Sequence, residues 1–129
     1  ERFSVRISFE GRIPAGGVEN RDLCTVISDL TDNAIEDAKR VSGKRYLKIE
    51  ASVRNGFLAL SFINSAAGAA RIRRHRVRRT GADAGNRNIG LKNVERTVKS
   101  YGGHLLLTGA EDCFQADVMM KLKPHDTEE

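Results

Sequence analysis

Between Asp22 and Arg40 the chain reads DLCTVISDLTDNAIEDAKR, and no other stretch constrains the fold as tightly. Leu23, Val26, Ile27, Leu30, Ala34, Ile35 and Ala38 recur at three- and four-residue spacing, which builds an apolar stripe on an amphipathic helix and requires a core opposite it. Asp29, Asn33, Glu36 and Arg40 fall on a different stripe. Residues four apart stack one turn above each other, so Asp29 and Asn33 offer two short oxygen-bearing side chains on one side of the helix. That pair can hold a hydrated cation. A solvated helix face looks the same, and the pair alone does not separate the two.

The rest of the chain supplies the layer against which this helix packs. Phe3, Val5, Ile7 and Phe9 alternate with Ser4, Arg6 and Ser8, the period-two pattern of a half-buried strand. Turn residues follow in the tract 10–17, and Asn20 or Asp22 is placed to cap the helix, which ends near Val41-Ser42-Gly43. YLKIEASV (46–53) and FLALSFIN (57–64) flank Arg54-Asn55-Gly56 and read as a hairpin with a type I′ turn. Residues 65–86 show no sustained period and are rich in Ala, Gly and Arg. Leu91, Val94, Val98 and Tyr101 form the stripe of a second helix that Gly102-Gly103 terminates. Residues 105–108 and 114–122 form a final hairpin, and 124–129 reads as a frayed tail. Five strands and two helices without regular βαβ alternation predict an α+β protein built as a two-layer sandwich, with a mixed five-stranded sheet packed on helices.

A chain of 129 residues with 40% hydrophobic content forms a single domain, 1–129, with a real core. It contains no apolar run long enough to span a membrane and no signal peptide, and it opens directly in strand-like sequence, as a domain cut from a longer protein does. Cys24 and Cys113 are far apart, which favours reduced, buried thiols over a disulfide framework. The net charge of +5 raises the question of nucleic acid, but Arg71, Arg73, Arg74, Arg76, Arg78 and Arg79 concentrate it in one run, RIRRHRVRR. A local cluster implies a local anion, and no aromatic platform for stacking bases accompanies it, so no nucleic-acid partner is expected. His75, His104 and His125 lack metal-ligand spacing.

Two tracts carry a family likeness. Leu30-Thr31-Asp32-Asn33-Ala34-Ile35-Glu36, together with Ile89-Gly90-Leu91-Lys92-Asn93-Val94 followed by Tyr101-Gly102-Gly103, resembles the N box and second glycine box of the GHKL ATPases. That superfamily includes gyrase, the Hsp90 chaperones, MutL and the sensor histidine kinases. Within it the sequence looks most like the ATP-binding domain of the accessory-gene-regulator type of quorum-sensing sensor histidine kinase. The resemblance covers roughly residues 13–122 and implies the Bergerat fold, with 65–87 as a mobile ATP lid.

It also implies a site. Asn33 matches the asparagine that binds Mg²⁺, and its neutral amide oxygen suits a hard cation that keeps several waters. Asp29 stands where the resembling kinases have a second asparagine and the gyrase-type relatives a glutamate base. It is the candidate catalytic residue and a second candidate metal contact. Asn64 occupies the place of the adenine-binding aspartate and offers one acceptor and two donors. Gly90 is expected just before a helix whose free N–H groups and dipole meet phosphate, with Leu91 beside it and Arg87 and Lys92 as charge partners. Asn88 replaces a glycine usual two residues before Gly90, and asparagine tolerates positive φ better than most residues.

The resemblance therefore implies a catalytic domain that binds Mg·ATP and passes the γ-phosphoryl group to a histidine on a separate dimerisation domain, with a response regulator further on. None of the three histidines lies in a phosphoacceptor-like helix, so this chain by itself is not expected to autophosphorylate. The implied setting is the cytoplasmic domain of a kinase anchored in the membrane through a preceding part. Two other classes stay open: a degenerate nucleotide-sensing or protein-contact module of the same fold, favoured by Asp29 and Asn88, and a nucleic-acid module using the arginine run.

Overall fold

The computed structural model describes residues 3–66, 71–73, 76–78, 84–109 and 112–124, with the backbone alone described at 71–73, 76–78 and 84–89. In chain order the elements are β1 (Phe3–Glu10), α1 (Asn20–Lys39), β2 (Arg45–Arg54), β3 (Phe57–Ser65), β4 (Arg71–Arg73), β5 (Arg76–Arg78), α2 (Ala84–Ser100), β6 (His104–Gly109) and β7 (Cys113–Lys121). One mixed sheet runs in the order β1-β2-β3-β7-β6, and β4 and β5 form a separate two-stranded ribbon. Among the described residues only β1 and β2 pair in parallel, and α1 is the crossover that such a connection needs. The α+β two-layer sandwich predicted from the pattern is present, with the ribbon as an addition inside a tract read as irregular.

Alternation within the strands explains the layering. Leu58, Leu60 and Phe62 on β3, Phe114, Ala116, Val118 and Met120 on β7, and Leu105 and Leu107 on β6 all point to one face. That face meets Val26, Leu30 and Ala34 of α1 and Leu91, Val94 and Val98 of α2 in one apolar cluster. The opposite face carries side chains such as Lys48, Glu50, Gln115 and Asp117, and Lys48 pairs with Glu50 there at 3.4 Å. The hairpin between β2 and β3 turns at Asn55 (φ 52°) and Gly56 (φ 80°), two consecutive positive φ values as a type I′ turn requires. Gly102 (φ 68°) ends α2, and Gly103 lies so close to β7 that a Cβ there would fall on the Met119 carbonyl.

Several expectations change. The N-cap of α1 is Glu19, without a side-chain cap bond, so neither Asn20 nor Asp22 caps the helix. Asp22 is engaged instead by the Tyr101 hydroxyl, which donates to its Oδ2 at 2.6 Å and accepts from the Glu19 N–H at 3.0 Å. This bond ties the start of α1 to the residue following α2. Cys24 is exposed and Cys113 only partly covered, so Cys24 is not the buried small hydrophobe expected. Ile27 is also exposed, because it sits on the flank of α1 turned away from the side that carries Asp29 and Asn33. Most consequentially, β1 is exposed along its whole length rather than half-buried. The helical layer ends above β2 and β3, and the apolar side of β1 lies beyond it. Among the described residues, no helix is long and apolar enough to cross a membrane.

Candidate functional site

α1 packs against α2 and β3, and its polar stripe is partly covered. Asn33 is only 5% exposed, and its Oδ1 is buried with no hydrogen-bond partner. An unmet buried acceptor costs about 1–3 kcal/mol, so the fold leaves open an oxygen that a ligand can use. Asp29 lies one turn earlier. A Cβ built on Gly90 would stand 3.9 Å from the Asp29 carboxyl carbon, which places the α2 backbone directly against that side chain. Burial raises the Asp29 pKa above the ordinary aspartate value, and the nearby Asp32 charge adds to the rise. A carboxylate held this way gains from a cation brought beside it.

Asn64 comes from the sheet below. It continues the inward series of Leu58, Leu60 and Phe62 on β3 and is 1% exposed. Its Nδ2 donates to the Ser65 carbonyl at 2.8 Å, which uses one of its two amide hydrogens. Asp37, two turns beyond Asp29 on the same stripe, is buried as well, and sequence reasoning did not single it out. The signal was present, since 29, 33 and 37 share the i, i+4 spacing.

Gly90 requires a correction. It lies inside α2, the seventh residue of a helix that starts at Ala84, and not in a loop ahead of it. Glycine disfavours a helix by only about 1 kcal/mol relative to alanine, and Asn88 carries no glycine's freedom to open the preceding turn, so the helix runs through both. The free N–H groups of α2 therefore belong to its first turn at 84–87 and not to Gly90 and its successors. Leu91 points into the core, Lys92 is exposed, and the side chains of Arg87 and Asn88 lie outside the described residues. The expected lid, 65–87, is described at residues 65–66, in the β4–β5 ribbon and from Ala84 onward, and the arginine side chains lie outside what is described.

The donor set fits Mg²⁺ better than a metal caged by protein. Among the described residues, no group of three or more His, Cys, Asp or Glu side chains gathers around a common point. Mg²⁺ keeps most of its waters and takes one or two protein oxygens, which Asn33 Oδ1 and the Asp29 carboxylate can supply.

A scan of family models matches the GHKL domain over residues 18–121. The chain belongs to this family. Comparison with curated proteins gives no match. Solved structures share the fold at low identity. The histidine kinase domain of the blue-light-activated kinase from Erythrobacter litoralis EL346 is 18% identical, with 93% of this chain and 52% of that one covered and a TM-score of 0.68. The catalytic domain of histidine kinase ThkA is 13% identical, covering 95% and 82%, with a TM-score of 0.70. ShkA in complex with AMPPNP is 17% identical, covering 93% and 26%, with a TM-score of 0.67. The chain thus spans about half the length of the EL346 kinase domain and a quarter of ShkA. Its five-stranded sheet and two helices match the α/β sandwich of histidine kinase catalytic domains.

Proposed function

We propose that this chain is the ATP-binding catalytic domain of a sensor histidine kinase of the accessory-gene-regulator type. Mg·ATP sits between the Asp29/Asn33 face of α1, Asn64 at the end of β3, and the N-terminal half of α2. The γ-phosphoryl group passes to a histidine on a separate dimerisation domain, and from there to a response regulator. The buried, unpartnered Asn33 Oδ1 carries this reading, because a fold seldom leaves such an acceptor unmet unless a ligand meets it.

The roles follow from the placements. Asn33 Oδ1 and the Asp29 carboxylate hold the cation, which when bound neutralises charge on the phosphate oxygens. Asn64 has one amide hydrogen and its carbonyl oxygen left for the adenine edge. Lys92, on the exposed side of α2, and Arg87 supply positive charge near the phosphates, and the β4–β5 ribbon with its arginines closes over them.

One observation favours a second reading. With Gly90 inside α2, the helix does not present the phosphate-facing turn expected at that position, and nucleotide must unwind the start of α2 or bind beside it. That suits a weakly binding module of the same family acting through protein contact.

Isothermal titration with a non-hydrolysable ATP analogue, with and without Mg²⁺, separates the two. The kinase reading predicts saturable, magnesium-dependent binding, and phosphorylation of a supplied dimerisation domain on its histidine. No heat at millimolar nucleotide gives the second reading.

A further inference from the structure

The edge of the sheet at β1 differs from the other four strands of that sheet. Phe3, Val5, Ile7 and Phe9 are 36%, 55%, 68% and 53% exposed. Yet the register places Val5 beside Leu47, Ile7 beside Ile49 and Phe9 beside Ala51, on the face that the helices cover elsewhere. Among the described residues, nothing pairs with the outer backbone edge of β1. An eight-residue edge with free N–H and C=O groups is a template for another strand, and β1 has no proline, lysine or bulge to discourage one. A docking helix would use only the apolar side chains. A strand uses those and the backbone as well.

The charges point to a second copy of the same strand. Arg6 and Glu10 are opposite in sign and share the face away from the helices. In an antiparallel pair about a two-fold axis, directly opposed residues share a face, so the axis must pass through a residue position. An axis at Arg6 sets that arginine against itself, which is unfavourable. An axis at Ile7 engages 4–10 but leaves each Arg6 diagonal to the partner's Arg6 as much as to the partner's Glu10. An axis at Ser8 engages 6–10, sets Ile7 against Phe9, and sets each Arg6 directly against the partner's Glu10.

We propose that β1 is a self-association edge, through which two copies of this chain join antiparallel about a two-fold axis at Ser8. The two five-stranded sheets become one continuous sheet, and the bare apolar stripes lie side by side between the two α1 helices. This surface is separate from the nucleotide site and does not rest on its assignment.

Sedimentation velocity across the micromolar range tests it. The chain should pass from monomer to dimer, and Ile7→Lys, which sets a charge against the partner's Phe9 at an exposed position, should abolish the dimer while leaving the circular dichroism melt unchanged. Arg6→Glu and Glu10→Arg should each weaken the dimer about tenfold, because symmetry counts the pair twice, and the double variant should restore it. A chain that stays monomeric throughout overturns the proposal and leaves the stripe to a different partner. A dimer indifferent to Ile7→Lys, or a double variant no tighter than the singles, overturns it equally.

Discussion

Two polar places on α1 look alike in the sequence and differ in the fold. Asp22, in the first turn, meets the Tyr101 hydroxyl at 2.6 Å, and that hydroxyl also accepts from the Glu19 N–H. Asn33, eleven residues on and roughly 16 Å along the axis, is more deeply buried and its Oδ1 meets nothing. The first place is closed upon itself, so its bonds stabilise the fold. The second is left open, and the fold carries it as a small cost. A polar group that the protein satisfies is part of the structure, and the one that it buries and leaves unmet is where the proposed ligand would bind.

The comparison breaks most visibly under Asn33→Ala. Magnesium-dependent nucleotide affinity should fall about a hundredfold, worth some 2.7 kcal/mol, while the melting temperature holds or rises, because the variant removes a buried acceptor that has no partner among the described residues. Titration calorimetry and a thermal melt on the same sample read both. Tyr101→Phe should do the reverse. It strips the donor from the Asp22 carboxylate and the acceptor from the Glu19 N–H, lowering stability by about 2 kcal/mol in urea titrations, with affinity unchanged.

Smaller effects sharpen the same contrast. Burial first, and then the bond to Asp22, raise the Tyr101 pKa in the fold. A raised pKa means stability that is complete below the unfolded tyrosine value and declines as pH rises through the folded one, so the wild type should lose stability above about pH 10 faster than Tyr101→Phe. Asn88→Gly should raise nucleotide affinity a few-fold by easing the opening of the first turns of α2, at about half a kcal/mol of stability. Smallest of all is Asp29→Asn. Because burial raises the Asp29 pKa, its ionised form disfavours the fold near neutral pH, so the variant should melt slightly higher at pH 7. That gap should close as pH falls below the ordinary aspartate range.

The sequence made some of this legible and hid the rest for physical reasons. Local chemistry was readable: Asn55-Gly56 forces its turn, Gly102 ends α2, and the three- and four-residue spacing from Leu23 to Ala38 defines α1. Coverage was not readable, because Phe3, Val5, Ile7 and Phe9 alternate identically whether or not a helix lies over them. Distant pairing was equally hidden, since Asp22 and Tyr101 are 79 residues apart and Asp22 alone looks like a cap. The start of α2 was misplaced because Gly90 reads as a breaker, yet one glycine among helix-compatible neighbours costs too little to stop the helix. At the site, the stripe of Asp29 and Asn33 was visible, but burial of Asn33 and Asp37, which separates a ligand site from a wetted face, emerges only from the packing of α1 on α2 and β3.

The central claim is that the open oxygen of Asn33 receives the cation of a bound nucleotide. Its most direct test is paramagnetic broadening, with Mn²⁺ and an ATP analogue added to the ¹⁵N-labelled chain. The Asn33 side-chain amide should broaden before other resonances and only when nucleotide is present, while the amide signals of Asp22 and Tyr101 stay sharp. Broadening that spares Asn33, or that spreads evenly over the surface carboxylates, would contradict the account.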